Sequence, residues 1–375
     1  MKEILVTRPS LPPLKEMMPY LEDIWERKWL TNKGYYHQMF EEKLSEYLNV
    51  KNISLFCNGT LALQVGLKAL GIKKEVITTP FTFVATAHAI KWNGCTPVFA
   101  DIDRHNYNLD ASKVSSLITE HTQAILPVHV YGHPCDFKQF QTIAEKHNLK
   151  LFYDAAHAFG VKSTENSLLH YGDLSMLSFH ATKIFNTIEG GALISNDINM
   201  KEEIDNLINF AIKNEESVVG IGINGKMNEI QAAYGLIQLK YADCYISKNR
   251  AIAEQYNSRL QGIPGLTLSP EHKTMSSNSS YFPVLVDQAL FGISRDELYN
   301  QLMIHNIHTR KYFYPLVSEF DDYNTLKTST KAHLPNAYKI SRQILCLPIY
   351  PNLTDDEHQY ICDNIIKIYV KANKN

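Results

Sequence analysis

The chain has 375 residues, 45% hydrophobic and 20% charged, with 37 basic side chains against 39 acidic ones. That length carries two domains and a large core. The even charge gives no electrostatic footprint for nucleic acid or an anionic membrane. No apolar stretch reaches a bilayer span or the core of a signal peptide, so a soluble cytoplasmic enzyme is expected. The six cysteines (57, 95, 135, 244, 346 and 362) are scattered without a short-spaced pair. They are expected to be buried and reduced, with no metal site.

In chain order, Pro9, Pro12, Pro13 and Pro19 make residues 1 to about 35 read as irregular. An amphipathic helical period follows over 36–48. Ile53–Phe56 reads as a strand, and a helix runs from about Thr60 to Ala69. Further strand candidates are 76–78, 98–100, 124–130, 149–153, 173–180 and 192–195, most of them separated by helical stretches. Strands alternating with helices predict an α/β fold, a mostly parallel sheet covered on both faces. A long helix is expected over Ile230–Gln261. Beyond it lie a strand at Tyr281–Val286, a helix at Arg295–His305 and a terminal helix at Asp355–Val370. This change of texture divides the chain into a large domain, 1–240, and a smaller α+β domain, 241–375.

Lys183 follows one strand-like run, and Asp154 ends another, Leu149–Tyr153. In a parallel sheet the carboxyl ends of strands face one crevice. A lysine and an aspartate there suit pyridoxal phosphate: the amine bonds the cofactor aldehyde, and the carboxylate keeps the ring nitrogen protonated. Asn58-Gly59-Thr60 sits between a strand and a helix, where free N–H groups favour a phosphate; an ordinary helix cap is the plain alternative. Phe83, read as the end of a strand, can stack on a ring. His157 can face the ring's phenolic oxygen, and Ser178 can donate to a phosphate. Each of these alone is more often a packing or capping residue. Gly220-Ile-Gly222-Ile-Asn-Gly225, with Asp243 downstream, spells a dinucleotide fingerprint. The polar approach over 213–219 argues for a loop instead.

These strings together resemble the DegT/DnrJ/EryC1/StrS sugar aminotransferases, within the fold-type I (aspartate aminotransferase-like) pyridoxal phosphate enzymes. The resemblance runs from Trp29-Leu-Thr31-Asn through Asn58-Gly-Thr60, Thr79–Phe83, Pro127–Gly132, Asp154–His157, Ser178–Lys183 and Glu189–Gly191 to Asn224–Ile230. It implies that Lys183 bonds the cofactor and shuttles the proton. It makes Asp154 the ring-nitrogen partner, His157 the neighbour of the phenolic oxygen and Phe83 the stacking ring. Gly59, Thr60 and Ser178 become the phosphate cradle, and Asn224 reaches that phosphate from a second subunit, so a homodimer is implied. The nearer branch implies transfer from L-glutamate to carbon 4 of a dTDP-linked keto sugar, for a bacterial surface polysaccharide (O-antigen). Arg8, Thr31, Lys226, Arg310, Lys311, Tyr312 and Tyr314 are candidate contacts to that nucleotide sugar. A 3-keto sugar, the other carbon-4 epimer, a nicotinamide enzyme and a non-catalytic cofactor sensor remain open. Lysine rather than histidine at 183 favours amino transfer over the related dehydration chemistry.

Overall fold

The structure, a computed structural model, describes residues 2–163, 167–269 and 275–374. Helices α1 (Leu14–Arg27) and α2 (Tyr35–Leu48) precede the central sheet and its covering helices. These are β1 (Asn52–Phe56), α3 (Gly59–Ala69), β2 (Glu75–Thr78), α4 (Val84–Trp92), β3 (Thr96–Phe99), α5 (Ala111–Val114), β4 (Thr122–Leu126), α6 (Phe137–His147), β5 (Lys150–Asp154), β6 (Leu174–Ser178), β7 (Gly191–Ser195) and α7 (Ile198–Leu207). A small hairpin, β8 (Ile212–Asn214) and β9 (Ser217–Val218), leads through a loop into the long helix α8 (Glu229–Leu260). The chain finishes with β10 (Leu266–Thr267), β11 (Phe282–Val286), α9 (Gln288–Phe291), α10 (Arg295–Ile304), α11 (Pro335–Gln343), β12 (Ile344–Leu347) and α12 (Asp355–Ala372).

The seven-stranded sheet has the order β1-β7-β6-β5-β4-β2-β3, and only β7 runs against its neighbours. Side chains of a strand alternate between faces, and the two cores follow that period. In β7, Ala192 and Ile194 enter the core under α1, α2 and α8, while Leu193 enters the core under α3, α4 and α7. A three-stranded sheet, β10-β11-β12, builds a separate core with α10 and α12. Ile4 belongs to that core and pairs with Ile307, so the first residues of the chain lie in the C-terminal layer. The division expected at 240/241 falls within α8.

Residues 14–27 form a helix where the prolines predicted irregular chain. Pro13 occupies the N-cap and Pro12 lies outside, so only Pro19 removes a helical hydrogen bond. Burial of Met17 and Ile24, two turns apart, offsets that loss. Glu229, buried at the start of α8, accepts N–H bonds from Tyr36 (2.8 Å) and His37 (2.9 Å) at the start of α2. An anion there satisfies helix donors that otherwise have no partner. The short strand β12 carried too weak a pattern to be read. Cys244 is exposed and Cys57 half-buried, because outward positions on α8 and the end of β1 place them so; all six thiols are free.

Helices α2 and α8 meet at Gly235, where a Cβ would stand 2.6 Å from the buried Phe40 ring. Gly→Ala in an open helix is stabilising by about 1 kcal/mol. Here the steric term wins, and Gly235→Ala is expected to destabilise the chain by about 1–3 kcal/mol in urea unfolding. A stabilised variant would refute that close crossing.

Candidate active site

β5 and β6 pair in parallel, with Asp154 opposite Met176, and both end at the same edge of the sheet. A cavity of about 370 Å3 opens there. Asp154, Lys183, His157, Ser178, Gly59, Thr60 and Phe83 all line it. Residues more than 120 positions apart thus meet at one point.

Asp154 is buried. Its carboxylate accepts from Thr86 Oγ1 at 2.8 Å and from the Ala156 N–H at 3.1 Å. Burial raises its pKa, opposed by those two bonds and by Lys183. Lys183 faces the cavity, and burial pulls its pKa from 10.5 to about 8 against the attraction of Asp154. Its Nζ donates to Tyr281 Oη at 3.2 Å. His157 is buried, and burial, then Lys183 and His129, hold its pKa well below 6.5. Its Nδ1 accepts from the Tyr131 N–H at 3.1 Å, which leaves the proton of the neutral ring on Nε2. Its ring lies parallel to Phe313, centroids 5.9 Å apart.

The floor of the cavity is the start of α3. Asn58 Oδ1 accepts from the Leu61 N–H at 2.9 Å. The N–H groups of Gly59 and Thr60 have no acceptor within the helix, and both residues line the cavity. A Cβ on Gly59 would lie 3.3 Å from Ser178 Oγ, and one on Gly191 would lie 2.8 Å from the Gly59 backbone. Two glycines therefore let this helix end and Ser178 converge on one anion-sized position. A buried carboxylate, a partly neutralised lysine and an anion cradle fit pyridoxal phosphate.

Phe83 does not end a strand; it caps α4 and stands 57% exposed at the cavity mouth, because β2 stops at Thr78. Arg310 and Tyr312 line the cavity from the C-terminal layer. Arg8 lies over Tyr350 in a small recess that Lys183 also lines. Thr31, Lys226, Asn224 and Tyr314 are absent from the cavity wall. Lys226 donates to Asn209 at 2.7 Å, Lys311 is paired with Asp296, and Tyr314 lies under Arg295 and Arg342. Thr86, Tyr281 and Phe313 went unread. Thr86 ends the string Pro80–Thr86 and Phe313 lies within Arg310–Pro315, where neither side chain by itself signals a role, and Tyr281 reads as the first residue of a strand. In the 220–225 loop, a Cβ on Gly222 would collide with the backbone of Leu207, Phe210 and Ala211. That glycine serves close packing, and Asp243 lies on α8 bonded to Tyr47. Among the described residues no acidic, His and Cys cluster can hold a metal, and no helix is long and apolar enough to cross a membrane.

The profile of the DegT/DnrJ/EryC1/StrS aminotransferase family matches residues 14–366. A dTDP-4-amino-4,6-dideoxy-D-glucose transaminase of Shigella dysenteriae is 48% identical over 367 residues, covering 98% of this chain and 99% of that protein. The crystal structure of DesI in the presence of its TDP-sugar product superposes with a TM-score of 0.94 at 33% identity, over 100% of this chain and 94% of that one. The PLP form of the putative sugar aminotransferase Spr1654 from Streptococcus pneumoniae has the same fold, with a TM-score of 0.91 at 24% identity over 99% of each chain.

Lys183 binds a proton less readily in the folded apoprotein than in the unfolded chain. Stability from this group is therefore lowest below about pH 8 and returns between about 8 and 10.5. Relative to Lys183→Met, the wild-type apoprotein should gain on the order of 2 kcal/mol across that window in thermal or urea unfolding. A flat difference would contradict a buried, depressed amine.

Proposed function

The chain belongs to the DegT/DnrJ/EryC1/StrS aminotransferase family, and we propose that it moves the amino group of L-glutamate to carbon 4 of dTDP-4-dehydro-6-deoxy-D-glucose. The products are dTDP-4-amino-4,6-dideoxy-D-glucose and 2-oxoglutarate, the amino sugar serving a bacterial surface polysaccharide such as O-antigen. The enzyme is a nucleotide-sugar aminotransferase, and its cofactor is pyridoxal 5'-phosphate. The observation that carries the finer reading is Lys183 in one cavity with Asp154, in a chain 48% identical to a relative of that activity.

The cofactor, when bound, supplies an aldehyde that bonds amines and a ring that accepts the electrons left by a departing proton. Asp154, its carboxylate held by the Thr86 and Ala156 bonds, would be the partner of the ring nitrogen. His157 offers its Nε2 proton to the phenolic oxygen. Gly59, Thr60 and Ser178 hold the phosphate, and Phe83 covers the ring from the mouth. Lys183 Nζ takes the α-proton of glutamate and later delivers a proton to carbon 4 of the sugar. A lysine near pH neutrality of its amine does this better than one at 10.5, because a base works best when its pKa lies near the working pH. Arg310 and Tyr312 border the sugar, with Arg8 behind Lys183.

We place the second half of the site on a partner copy. Asn224 is exposed and does not line the cavity of its own chain. Trp25, Trp29, Leu30, Ile188 and Ile221 are also exposed, an apolar set that a homodimer would cover. Thr31, Lys226 and Tyr314 then reach substrate through that contact.

Purified protein should show a visible absorbance band without added cofactor, lost in Lys183→Ala. With L-glutamate and a panel of keto sugars, turnover should be confined to the 4-keto substrate, and NMR should give the gluco product. A 3-keto substrate or the galacto epimer would replace this reading. Lys183→Ala should lower turnover by at least about 10^3-fold. Mixing it with inactive Asn224→Asp subunits should restore about a quarter of wild-type activity, since random pairing leaves one intact site per mixed dimer. No recovery would rule out a shared site.

A further inference from the structure

The geometry points to Tyr281 as a positioning residue that holds the Lys183 amine whenever that amine is not bonded to the cofactor. Tyr281 directly precedes β11 and reaches the cavity from the C-terminal layer. Its hydroxyl lies 3.2 Å from Lys183 Nζ. The ring is fixed on several sides. The His157 centroid is 4.7 Å away, that of Tyr131 5.5 Å and that of Tyr312 6.0 Å. A rotamer held this way presents its oxygen at one place, so the bond restrains the most flexible side chain in the site. Burial raises the phenol well above the ordinary tyrosine range, so Tyr281 stays neutral throughout. A neutral hydroxyl accepts from an ammonium and donates to an amine. It can therefore hold Lys183 before and after the amine takes up a proton. Without it, the freed amine has four carbons of rotational freedom over the whole cavity.

This rests on the amino-transfer reading, but one readout is independent of it. In the full-length chain stripped of cofactor, the pH midpoint for acetylation of Lys183 by acetic anhydride, read by mass spectrometry, reports the amine directly. Asp154, His157, His180, Glu189, Arg310 and Tyr312 line the same cavity and are unchanged in the variant. Tyr281→Phe keeps the ring and removes only the hydroxyl, whose bond to the charged ammonium is stronger than its bond to the neutral amine. It should lower the midpoint by about half to one pH unit, since the ammonium loses its hydrogen bond. Tyr312→Phe should leave the midpoint in place. In the holoenzyme, the absorbance change on adding glutamate alone should slow by about ten-fold or more in Tyr281→Phe, with the half-saturating glutamate moved by less than about two-fold. A midpoint and a rate constant both equal to wild type would overturn the role of Tyr281. Wild-type inactivity with every keto sugar would instead sink the amino-transfer reading and leave the midpoint test standing. Equal melting temperatures of the two proteins exclude misfolding as the cause.

Discussion

A lysine and an aspartate share one cavity, and the rest of the site depends on that. Burial alone would neutralise both: it raises the carboxyl and lowers the amine. Each charge limits the shift of the other, and the bonds from Thr86 and Ala156 hold the carboxylate further. The outcome is an amine with a pKa of about 8 in one cavity with a carboxyl group whose upward shift is held in check. Removing either partner would leave an unpaired buried charge, which costs several kcal/mol. The sheet makes this arrangement possible, because β5 and β6 are parallel neighbours that end together.

The anion cradle rests on a second constraint, the distance between α3 and the sheet. Gly191 on β7 meets the Gly59 backbone where any side chain would collide. The helix end is brought against Ser178 by that missing atom. The far wall of the cavity belongs to the other layer: Tyr281, Arg310, Tyr312 and Phe313. Arg310 pairs through its backbone with Cys346 of β12, and Ile4 ties the start of the chain to the same layer. The helix α8 runs through both layers, and its first residue, Glu229, anchors α2. Docking of the layers and formation of the site are thus one event.

The chain shows why a glycine pattern alone says little about chemistry. Gly220, Gly222 and Gly225 have dinucleotide spacing, yet they follow a short polar hairpin rather than a buried parallel strand. Gly222 is there because backbone passes close by. Gly59 and Gly191 form no named spacing with each other, yet their close approach brings the start of α3 against Ser178.

Most strands and the helices α2, α3, α8, α10 and α12 were legible in the sequence, because each carries its own hydrophobic period. Lys183, Asp154 and the Asn58-Gly59-Thr60 turn could also be picked out as candidates, since residue type and position at a strand end are local properties, and the structure brings them to one cavity. The helix α1 was not, because Pro19 weakens it locally and only the packing of Met17 and Ile24 against distant residues recovers it. Nor could the chain order say that Thr86 bonds Asp154, that Tyr281 meets Lys183, or that Lys311 is occupied by Asp296. Which residues can do chemistry is written along the chain; which of them touch depends on strand order, the helix crossing at Gly235 and the docking of two layers, and these are long-range contacts that no short stretch encodes.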